Sequence, residues 1–167
     1  AIRMALIVGN SAGSDIVISE DKIKGYRNFA NKVWNASRFV LMNLEDFKLK
    51  RKPRLGKRDQ KILRGLEKTE EKVTKQLNNF RFSLAGEEVY HYFWHVFADK
   101  IIEQMKKRIK DDKEKEQAQY ILAKVLIDSL KLLHPFMPFL TETIWQKIPL
   151  LWLKEEKILM VAKWPKN

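Results

Sequence analysis

Four side chains at helical spacing, Asn28, Lys32, Asn35 and Phe39, carry the chemistry of greatest interest in this sequence. Stepped at about 100° per residue they fall within about 60° of one another, with Asn31 and Arg38 beside them. A plain solvated helix face would be Glu and Lys, whereas asparagine is a poor helix former. Each amide brings both donors and an acceptor. Amides, cations and an aromatic ring together are the equipment for a splayed-out RNA base: the ring stacks, amides read an edge, and cations meet phosphate. The same spacing fits a second reading, in which Phe39 packs under a neighbouring helix and the asparagines bond loops. Spacing alone leaves both open.

The element that must position these residues is a long amphipathic helix. Ser19 is a natural N-cap, with Glu20 and Asp21 in the first turn where the helix dipole favours negative charge. Phe29, Val33, Ala36 and Val40 make the core stripe, and Ala30, Trp34 and Leu41 extend it, up to about Leu44. The segment 48–58 packs seven basic residues into eleven positions. Lys50, Arg51, Lys52, Arg54, Lys57 and Arg58 could grip a phosphate backbone without reading sequence. The plain alternative is a solvated basic loop, and on either reading the segment is expected to be mobile because it offers little to bury.

Further helices are expected over about 59–78, 82–107 (rich in aromatics), 114–133 and 139–147. His134-Pro135 stops the fourth of these, and Pro138 suits the first turn of the last. The tail from Pro149 either lies on the surface or forms a short strand at 158–161. The fold expected is all-α, an antiparallel bundle of four to five helices. Residues 1–13 read as the end of a preceding helix and its turn, 14–148 as the bundle, and 149–167 as a tail leaving it. The chain opens as if cut from inside a helix, so a piece of a larger protein is expected.

Composition narrows the partners. With 33 Lys plus Arg against 21 Asp plus Glu, the formal charge of +12 favours a polyanion. Cysteine is absent, which excludes disulfides and thiolate zinc sites. No run approaches the roughly 20 apolar residues of a membrane span, and no signal peptide is evident. Glu88, His91 and His95 sit at helical spacing, but a carboxylate di-metal site needs a second copy of that motif, so no metal is expected. No nucleophile elbow or glycine-rich phosphate loop occurs, so no catalytic residue is assigned.

The run Arg27-Asn28-Phe29-Ala30-Asn31-Lys32-Val33-Trp34-Asn35-Ala36-Ser37-Arg38-Phe39, with Ile18-Ser19-Glu20-Asp21 ahead of it, resembles the start of the anticodon-binding domain of valyl-tRNA synthetases, which are class I enzymes. Ala1-Ile2-Arg3 is similar to the end of the motif preceding that domain. Leu132-Leu133-His134-Pro135-Phe136-Met137-Pro138-Phe139-Leu140-Thr141-Glu142-Thr143-Ile144-Trp145 resembles its last helices, and Val161-Ala162-Lys163-Trp164-Pro165 the segment beyond. The likeness spans essentially the whole chain. His-Pro-Phe-Met-Pro is shared with isoleucyl and leucyl relatives, so the first run is the specific part.

The resemblance implies a grip on the anticodon loop of valine tRNA, whose identity lies in a middle adenine followed by cytosine. Phe39 would stack on an anticodon base and Lys32 would bond a base edge or phosphate, with Arg38, Asn28, Asn31 and Asn35 alongside. Neither His-x-Gly-His nor Lys-Met-Ser-Lys, the ATP-handling motifs of the class, is present. The chain alone is therefore not expected to be an enzyme or to hold a cofactor. ATP and Mg would serve the parent valine–tRNA ligase. The expected partner is tRNA, with no DNA and no membrane, and the chain is expected to be a cytoplasmic monomer. The alternatives are the same domain from an isoleucyl or leucyl enzyme, or a helical protein-interaction module.

Overall fold

A computed structural model describes residues 1–10, 18–47, 53–149, 153 and 157–165. Among the described residues all regular structure is helical. The helices are α1 (Ile2–Ile7), α2 (Glu20–Met42), α3 (Lys57–Asn78), α4 (Phe82–His91), α5 (Ile102–Arg108), α6 (Lys115–Leu133) and α7 (Pro138–Trp145). This is the all-α bundle expected from the sequence.

Local chemistry sets several of the ends. The Ser19 hydroxyl accepts from Lys22 N (3.1 Å), with Glu20 and Asp21 in the first turn of α2. Pro138 opens α7, where a missing N–H removes no helical bond. The third expected helix is one rod, but its middle is not α-helical. Tyr92–Ile101 is π-helical and joins α4 to α5 without a break. Such stretches are rare and occur disproportionately at functional sites.

α6 is the axis of the bundle. It is buried on nearly every side, through Ile121, Leu122, Val125, Leu126 and Leu130 among others, and touches α2, α3, α4, α5, α7 and the π segment. A helix whose apolar residues run most of the way round belongs in the middle. α2 presses Phe29, Val33, Ala36 and Val40 inward, as its periodicity predicts. Phe29, fully buried, stacks on Trp94 (centroids 5.9 Å, planes 16° apart) and meets Tyr90 at 4.6 Å. This clamp fixes the rotation of α2 about its own axis, and with it the direction of the asparagine ridge.

Two expectations change. Trp34, counted with the core stripe, is 36% exposed. It lies at the edge of that stripe, where the neighbouring helix end supplies Lys147, 5.9 Å from the indole, rather than an apolar cover. The strand considered for 158–161 is a 3-10 turn, Leu159–Val161. Leu159 is buried and its N–H donates to the Glu142 carboxylate (3.1 Å), which caps the peptide in place of a partner strand. Beyond it, Trp164 Nε1 donates to Thr74 Oγ1 (2.8 Å) and holds the tail on α3.

Candidate nucleic-acid interface

The clamp described above leaves a polar ridge along α2. Asn28, Asn31, Asn35 and Arg38 are exposed, and among the described residues their side chains make no hydrogen bond. Their amide donors and acceptors therefore face water and are open to a ligand.

Phe39 is half-buried and leans on the edge of the core. Lys106 of α5 holds its ammonium 5.5 Å from the ring centroid. Neither sequence reading describes this fully. The ring is not sealed beneath another helix, and it is not a free-standing platform either. The half-buried ring thus lies beside an ammonium that Glu103 also holds (2.6 Å), an arrangement of ring and cation that suits a base carrying phosphate.

Lys32 is more engaged than spacing suggested. Its ammonium is ion-paired with Asp99 and lies 4.9 Å from the Trp94 ring centroid. The Lys32 hydrogen bond holds the Asp99 carboxyl below the usual range, and the His95 ring lies 3.5 Å from its other oxygen. Asp99, Trp94 and Lys106 all come from the rod, and sequence reasoning did not single them out. Spacing within α2 carries no signal for residues that arrive from a helix some sixty positions away.

Arg38 faces the other flank of α2. It lines a groove of about 370 Å³ with Trp34, Leu41 and Lys147. The six residues of the expected anticodon set therefore share one helix but not one cluster. Lys32 and Phe39 turn toward the rod, Arg38 toward α7, and the asparagines lie between.

The basic segment divides as well. Lys50, Arg51 and Lys52 lie outside the described residues. Arg54, Lys57 and Arg58 are exposed. Arg54 borders a surface with Gln60 and Arg64, whereas Arg58 borders the groove between α3 and the rod. Glu88 is paired with Lys72 (3.3 Å), and the His91 and His95 rings lie 5.2 Å apart. No group able to hold a metal occurs among the described residues. No described helix is long and apolar enough to cross a membrane.

The family model for the anticodon-binding domain of tRNA ligase matches residues 59–167. The chain belongs to that family. It is 45% identical to a valine–tRNA ligase of Thermotoga maritima over 164 residues, covering 98% of this chain and 18% of that protein. It is 41% identical to the valine–tRNA ligases of Fervidobacterium nodosum and Bacillus cereus, covering 98% and 99% of this chain and 19% of each relative. The chain thus spans about a fifth of the length of these relatives, and the likeness to them includes α2, which precedes the family match.

Proposed function

We propose that this chain holds the anticodon stem-loop of tRNA, of valine isoacceptors in particular, and positions it for valine attachment by the catalytic part of a parent ligase. The observation that carries the reading is the α2 surface: Phe39 under the Lys106 ammonium, with Asn35 one turn and Asn31 two turns back along the helix, their amides unbonded. An unpaired base can stack at such a ring while the amides meet its edge. Family membership and the valine–tRNA ligase relatives support it. The chain contributes binding geometry as a cytoplasmic monomer, and ATP and Mg belong with the parent's chemistry.

Anticodon hairpins sharing one stem, with the middle adenine or the following cytosine replaced in turn, test the reading. The unaltered chain should prefer the valine loop. Phe39→Ala should weaken binding to that loop by about 1–3 kcal/mol, the worth of one base–aromatic stack. Equal binding by the unaltered chain and Phe39→Ala removes the stacking role. A preference for isoleucine or leucine anticodons would move the assignment to those enzymes.

A further inference from the structure

The bundle carries a second basic surface on the far side of the rod. The N-terminal half of α3 and the π-segment–α5 portion of the rod enclose a groove of about 1010 Å³. Arg58 and Lys61 line it from one wall and Lys100 and Lys107 from the other. Among the described residues none of these four is in an ion pair. The acids at the groove are occupied elsewhere: Glu103 pairs with Lys106 (2.6 Å) and Glu114 with Arg108 (2.9 Å). Asp59 accepts both Nη atoms of Arg108, so that guanidinium closes the end of the groove and takes no ligand. What remains is a set of uncompensated cations over an apolar floor of Ile62, Val96 and Ile101.

Gly65 adds an independent observation. It sits in the interior of α3, on the groove wall, where glycine costs helix stability relative to alanine. A Cβ built there meets nothing within 4 Å, so nothing in the chain requires its absence. A wall without a side chain lets a partner's backbone approach closely.

The rod also links the two surfaces. Asp99 and Lys106 face α2, at Lys32 and Phe39, while the adjacent Lys100 and Lys107 line the groove toward α3. We infer that this groove takes the sugar-phosphate backbone of the RNA whose loop α2 holds, a sequence-independent grip beside a sequence-reading surface. The inference rests on the tRNA reading above. Charge complementarity selects the occupant, because a strand of phosphates matches cations spaced along two facing helices.

The test is the triple variant Lys61→Ala/Lys100→Ala/Lys107→Ala of this chain, titrated with the anticodon hairpins over a range of salt. The slope of log affinity against log salt should fall by about 2, since each phosphate neutralised by a cation contributes roughly 0.7–0.9 to it. The weakening should be the same for every anticodon, so discrimination survives. Gly65→Gln keeps the cations but fills the wall with a better helix former. Its Tm should match or exceed that of the unaltered chain while RNA affinity falls several-fold. An unchanged salt slope in the triple variant, or undiminished affinity in Gly65→Gln, overturns the inference. So does binding to phosphatidylserine vesicles that the triple variant loses while it keeps its RNA affinity, which would give the groove to a membrane. If the unaltered chain fails to discriminate anticodons but the slope still falls in the variant, the α2 reading fails and the groove stands.

Discussion

Lys32 meets any RNA already engaged on two sides, by the Asp99 carboxylate and the Trp94 ring. The pair is solvent-facing, with the Asp99 side chain 42% exposed, so its net strength belongs with surface ion pairs, about 0–1 kcal/mol. A polyanion can compete for the ammonium at that cost. Asp99→Asn removes the competitor and a negative charge from the rim, and should tighten hairpin binding by about two- to fivefold at low salt. Weaker binding would instead make Asp99 the group that positions Lys32. The lowered Asp99 pKa sets the pH window. The carboxyl's contribution is complete above its ordinary unfolded range and is lost as pH falls through its depressed folded value, so the pair is intact at neutrality. Spacing alone isolated Lys32, Phe39 and the asparagines, because a single helix fixes which of its residues share a face. It misplaced Trp34 and missed Asp99 and Lys106, because whether a flank is covered depends on what a distant helix brings to it.

At the level of elements, α3 and α6 meet through an unusual contact. Glu70 and Asp128 are both buried, and Lys124 reaches Asp128 at 2.6 Å from the next turn of α6. Burial first, and the Asp128 charge second, push Glu70 up to about 7. A carboxyl raised on folding holds its proton more tightly in the native state. Its contribution is therefore greatest below the ordinary carboxylate value and is lost as pH climbs toward 7. Glu70→Gln removes the ionisation and should raise stability above pH 7 by about 1–3 kcal/mol, with little gain near pH 5. Thermal melts of both chains at the two pH values check it, and parallel shifts at both would exclude the linkage. Helix bounds were legible to within a few residues, because Ser19, Pro135 and Pro138 act locally. The π segment was not, because widening a turn from i→i+4 to i→i+5 leaves Tyr92, Phe93 and Phe97 still apolar and still inward.

For the whole molecule, the first turns of the chain are locked against α4 and the link between α6 and α7. Arg3 donates to Pro135 O (3.3 Å) and Gly9 N to Ser83 Oγ (2.9 Å), with Val8 and Phe136 buried over Gly86. A Cβ at Gly86 would lie 2.5 Å from Val8 Cγ2 and 3.2 Å from Phe136. Gly86→Ala should therefore destabilise by about 1–3 kcal/mol from overpacking, less up to about 1 kcal/mol of helix propensity. Denaturant melts measure it, and a more stable variant would show that α1 simply lifts away. The net charge of +12 signalled a polyanionic partner from composition, but not the division of cations between the two sides of the rod. That division follows from neighbours on the rod: Lys106 stands over the Phe39 ring, while Lys107, the next residue, lines the groove against α3. Adjacent helical residues point about 100° apart, so any roll of the rod that carried Lys106 off the ring would carry Lys107 off the α3 wall in the same movement. The two cationic surfaces are thereby geared together, and neither can be retuned by turning the rod without disturbing the other.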